Sequence, residues 1–72
     1  MNLQEIKIAK QLRRNPHVRA RKLRVGNQDG MLVIEGMVDS FFAKQMAQES
    51  IRLSGDLEDI AEIDNRLQVE WV

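Results

Sequence analysis

Leu3, Ile6, Ala9 and Leu12 recur at every third position of the N-terminal segment, with charged and amide side chains between them. That spacing gathers apolar side chains on one face of a helix, and the intervening lysines, glutamines and alanine favour helical backbone. A helix is predicted over about residues 2–14. It stops before Pro16, because proline disfavours helical geometry at Asn15 and has no amide hydrogen to donate. Beyond it the period falls to two. Leu23 and Val25 alternate with Lys22, Arg24 and Gly26, and the Asp29-Gly30 pair then suits a tight turn at positive φ. Met31 to Val38 is rich in β-formers, with Leu32, Ile34 and Val38 on one face and Met31, Val33, Glu35 and Met37 on the other. Gly36, inside that strand, marks either a bulge or the close approach of a helix.

Ser40 is a good N-cap for a second helix from Phe41 to about Leu53, with Ala43, Met46, Ala47, Ser50 and Ile51 on one side. Ser54-Gly55 supplies its stop. Residues 56–62 are acidic and irregular, and then Ile63, Leu67, Val69 and Trp71 alternate with polar residues as a last strand. The predicted order is α-β-β-α-β. This is an α+β fold, a two-layer domain with two helices packed on one face of a three-stranded sheet. If the last strand adjoins the second, that pair is parallel and the sheet mixed, with a right-handed crossover through the second helix.

Seventy-two residues hold one small domain, spanning 1–72, and the absence of cysteine removes disulfides and thiolate chemistry. The longest unbroken apolar run is Met31 to Ile34, far short of the ~20 residues of a membrane span. Charged and amide residues interrupt Met1 to Leu12, so no signal peptide is read there, and the chain as it stands is expected to be cytoplasmic unless it is a domain cut from an exported protein. A net charge of zero conceals a split. Residues 1–25 carry eight bases and one acid, a net of +7, while residues 26–72 carry three bases and ten acids, a net of −7. Such a split fits an anion-binding face on the first third, or two halves that lie side by side and neutralise each other.

The order of elements, with these residues, resembles the BON domain, a small module named after bacterial OsmY and nodulation proteins. Leu12, Pro16, Val18, Leu23 and Val25 stand where that family has a leucine, a proline and a hydrophobic strand. The run from Gly30 through Gly36 to Ser40 matches its glycine turn, alternating apolar residues, second glycine and polar helix start. Ala43 and Ala47 match the packed alanines of its middle helix, and Ile60, Ile63, Asn65, Leu67 and Val69 match the spacing of its last segment. The likeness covers essentially the whole chain. One departure is the acidic Asp56-Leu57-Glu58-Asp59 between Gly55 and Ile60, where the family has a short Gly-Val connection. Another is that many members are exported. The resemblance implies Pro16, Gly30, Gly36 and Asn65 as fold-defining positions. It also implies a non-catalytic module that binds phospholipid surfaces or serves attachment and oligomerisation.

The residues themselves offer no catalytic constellation. His17 is the only histidine, and Ser40, Ser50 and Ser54 lie in no nucleophile elbow. The acids between Asp56 and Asp64 lack the spacing of a calcium loop, and no Gly-Lys-Ser/Thr opens a helix. Neither enzyme activity, a metal, a cofactor nor a small-molecule substrate is expected. Two surfaces remain. Arg13, Arg14, Arg19, Arg21, Lys22 and Arg24 form a basic stretch suited to the phosphates of an anionic membrane surface. The alternative is a small nucleic-acid-binding domain using the same stretch, although no aromatic interleaves it for base stacking. Met31, Val33 and Met37 form an apolar set on the open sheet face, suited to a homodimer or a partner protein.

Overall fold

A computed structural model describes residues 2–54, 57 and 59–70. The elements are α1 (Leu3–Arg14), β1 (Arg21–Gln28), β2 (Met31–Val38), α2 (Phe41–Ser54) and β3 (Glu62–Val69). The fold is α+β in the order α-β-β-α-β. β2 is the central strand, antiparallel to β1 and parallel to β3, so the sheet is mixed. Gly55, predicted to stop α2, and Trp71, predicted to extend the last strand, lie outside the described residues.

Local chemistry sets the boundaries. The Asn2 side chain accepts from the Glu5 amide while the Glu5 carboxylate accepts from the Asn2 amide, a capping box that satisfies two donors at the start of α1. At its end Asn15 is already extended, as the following Pro16 requires. The Ser40 hydroxyl accepts from the Ala43 amide at 3.0 Å and caps α2. Asp29 and Gly30 both adopt positive φ, 53° and 86°, as a two-residue hairpin between Gln28 and Met31 needs.

The core lies between the helices and one sheet face. Ile8 and Leu12 of α1, Ala47 and Ile51 of α2, and Leu32, Ile34 and Val38 of β2 are all fully buried. Val18 and Leu67 complete it from the α1–β1 loop and β3. The face of α1 differs from the predicted one. Ile8, Ala9 and Leu12 are buried, whereas Leu3 and Ile6 stand in solvent at 66% and 37% exposure. A spacing of three falls about 60° short of a 3.6-residue turn at each step, so four such positions sweep half the helix and cannot all face the core.

Gly36 resolves in favour of the bulge. The β1–β2 register shifts between Arg21 and Arg24, which puts one extra residue on β1. Lys22 takes positive φ (52°) and Gly36 opposite takes φ 147°. A Cβ at Gly36 would sit 2.8 Å from the Arg21 carbonyl oxygen and 3.3 Å from Leu23 Cα, so its close neighbour is the backbone of β1 and not a helix.

The two oppositely charged halves do not neutralise each other side by side. Among the described residues, Arg21 is the one base of the first 25 residues that is ion-paired. An eight-residue strand is about 26 Å long, so the strands lie along the 35 Å axis of a molecule only 19 by 18 Å across. Strand directions then put the end of α1, the 15–20 loop and the start of α2 at one end of that axis. The hairpin turn, Asp59 and Glu62 lie at the other, where the Gly30 carbonyl accepts from the Ala61 amide at 2.7 Å. Arg13, Arg14 and Arg19 thus stand at the opposite end from Asp59 and Glu62, while Asp39 and Glu70 share the basic end and hold Arg21 there.

Candidate anion-docking surface

The six candidate cations occupy three different settings. Arg13 and Arg14 form the exposed last turn of α1. Arg19 is exposed in the following loop, at φ 49°. That loop is wound tightly on Asn15, whose carbonyl accepts from the Val18 and Arg19 amides and whose side chain accepts from the His17 amide at 2.9 Å. Val18 is thereby driven into the core, and Pro16, His17 and Arg19 are turned outward.

Arg21 is committed elsewhere. Its guanidinium donates to Asp39 and lies 3.7 Å from Glu70, joining the start of β1 to the ends of β2 and β3. The hydrogen bond that Arg21 donates to Asp39, the Asp39 charge and the weaker pull of Glu70 raise the Arg21 pKa above its ordinary value. Lys22 and Arg24 are on the sheet side, where with Glu35, Met37, Arg66 and Gln68 they line a shallow groove of about 180 Å³. The structure therefore does not assemble the six into one site.

It assembles a different set. Lys7, Lys10 and Arg14 are spaced three and four residues apart on the face of α1 away from Ile8 and Leu12. They border an open depression of about 680 Å³ that Pro16 and His17 close at one end. Gln11, also in its wall, donates to the Ser50 carbonyl at 2.8 Å and ties α1 to α2. The His17 ring meets Phe42 edge-on, with centroids 6.1 Å apart, so the start of α2 adjoins this surface. Phe41 and Phe42 are 65% and 59% exposed. The exposed large apolar side chains among the described residues are Leu3, Ile6, Phe41, Phe42 and Leu53, all of them helical. The outer face of the helix layer thus mixes unpaired cations with large apolar side chains.

Lys7 and Lys10 add to the positive charge of the first 25 residues but stand outside the basic stretch 13–24. Their spacing with Arg14 on a 3.6-residue helix is the signal that finds them. The self-association set also changes. Val33 is 2% exposed within the single chain, so it has no surface to offer a partner, whereas Met31 and Met37 are half-buried. Val33 lies on the central strand, with a strand on each side and Gly26 and Asp64 in register.

The described residues contain no cluster of three His, Asp or Glu side chains placed to hold a metal ion, and no helix long and apolar enough to cross a membrane. No family model matches the chain, and no curated protein matches it.

Proposed function

We propose that this chain is a non-catalytic, BON-like docking module that settles on anionic phospholipid surfaces through the outer face of its helix layer. The observation that carries this reading is the concentration there of exposed large apolar side chains, beside Lys7, Lys10, Arg13 and Arg14. A basic α1 with exposed Leu3 and Ile6, beside an α2 that exposes Phe41 and Phe42, has the chemistry of an interfacial binder. Each Lys or Arg near an anionic bilayer contributes about 1 kcal/mol, so four give about 4 kcal/mol before any apolar insertion. The phospholipid binding that the resemblance to BON domains implies agrees with this. Leu3, Ile6 and Leu53 favour lipid over nucleic acid, because aliphatic side chains offer bases no stacking surface.

Sedimentation with vesicles tests the reading. The domain should pellet with phosphatidylglycerol vesicles at 0.1 M salt, release towards 1 M as the Debye length shrinks from about 10 to 3 Å, and ignore phosphatidylcholine. Arg13→Glu with Arg14→Glu should lower binding at least tenfold. Equal binding to neutral and anionic vesicles would defeat the electrostatic argument. Tighter binding to short DNA or RNA than to vesicles would favour the nucleic-acid alternative.

A further inference from the structure

We propose that the sheet face opposite the helices pairs with the same face of a second copy, across a two-fold axis that lies in the interface perpendicular to the strands. Strand register orders this face into four rows. From the hairpin end they are Gln28, Met31 and Glu62; Gly26, Val33 and Asp64; Arg24, Glu35 and Arg66; and Arg21, Met37 and Gln68, with the bulged Lys22 beside the last. Packed sheets keep their strands within about 30° and stand ~10 Å apart, so a facing copy meets these rows in one of two orders.

With the axis along the strands, each row meets itself. Glu35 then faces Glu35, and Arg24 faces Arg66 twice over. With the axis perpendicular to the strands, the first row meets the last and the second meets the third. Met31 lies over the partner copy's Met37 and Asp64 over its Arg66, and each contact occurs twice. Arg24 lies over Gly26, which has no side chain to obstruct it, and Glu35 lies over Val33, which keeps the two Glu35 carboxylates apart. Within one chain Arg66 already donates to Asp64 at 2.8 Å, so the second copy would convert two separate ion pairs into one four-member cluster. Charge complementarity thus selects the second order, and an isologous two-fold contact closes without leaving a free surface for further growth.

The face is small, about 26 Å of strand by about 14 Å across three strands. Two such faces bury well under the ~1,600 Å² of a standard interface, so the dimer is weak and concentration-dependent. This association needs no lipid and stands independently of the docking reading.

Sedimentation equilibrium between 20 and 500 µM (on the order of weak-complex affinities) should show a growing dimer fraction in wild type. Asp64→Arg or Arg66→Asp alone should abolish it, and the two together in one chain should restore it, because the swapped pair is again complementary. Circular dichroism would confirm that each variant remains folded. The absence of cysteine permits a direct check of order. A mixture of Met31→Cys and Met37→Cys chains should be joined by a short bismaleimide, while Met37→Cys alone should not. A wild type that stays monomeric at the highest concentration would overturn the proposal, as would cross-linking of Met37→Cys to itself or failure of the double swap to restore association.

Discussion

At Gly36 the strand has no room for a side chain. The positive φ of 147° strains any L-residue, and the space a Cβ would fill is bounded by the β1 backbone at 2.8 Å, which cannot rotate aside. Gly36→Ala should therefore destabilise by about 2–4 kcal/mol, read as a fall in the denaturant midpoint. That is a large part of the roughly 4–11 kcal/mol expected of a domain this size. An unchanged midpoint would mean that the bulge rearranges freely. Asn65 is specific in another way. Its amide donates to the Lys44 carbonyl at 2.8 Å and its oxygen accepts from the Leu67 amide at 3.2 Å, so one side chain joins β3 to α2 and satisfies an amide of the strand. Asn65→Ala leaves that half-buried amide unpaired and should cost about 1–3 kcal/mol. Hydrogen exchange should then accelerate at Leu67 ahead of its neighbours in β3.

At the scale of elements, the face that α1 turns inward is open to a simple comparison. Ile8 is fully buried and Ile6 is 37% exposed, two residues apart on one helix. Ile8→Ala should cost about 2–5 kcal/mol, because it empties a packed site. Ile6→Ala should cost less than about 1 kcal/mol, and equal losses in thermal or chemical unfolding would show that α1 is rotated from the orientation described. The exposed start of α2 makes the complementary case. Phe41→Ser with Phe42→Ser removes no core contact and should leave stability within about 1 kcal/mol, taking ~0.5 for each surface change. Vesicle binding should nonetheless fall severalfold if these rings enter the interface. Unaltered binding would restrict docking to the cations.

At the scale of the molecule, the two proposed surfaces are on opposite sides of the two-layer fold and do not compete. A face-to-face dimer turns its two helix layers outward in opposite directions. If both surfaces operate, the protein should cluster phosphatidylglycerol vesicles, measured as turbidity, at concentrations where it dimerises. Arg66→Asp should abolish clustering while leaving most vesicle binding intact. Clustering by a monomeric variant would show that tethering has another origin.

The order of elements, the hairpin turn, the Ser40 cap and the buried side of β2 are all legible in the sequence, because each follows from neighbours a few residues apart. Capping, turn geometry and the two-residue pleat are short-range physics, and Asp29-Gly30 or Leu32-Val33-Ile34 carries them locally. The α1 face was harder to read, since several apolar residues compete for it and only packing against the sheet selects Ile8 over Ile6. The role of Gly36 depended on a register shift in another strand. The basic stretch reads as one feature along the chain, yet the bulge, the Arg21 ion pairs and the Asn15 loop send its members to three surfaces. Tertiary structure alone brings Phe42 against His17, at the edge of the depression that Lys7, Lys10 and Arg14 border, because residues far apart in sequence meet only when two helices pack on the same sheet.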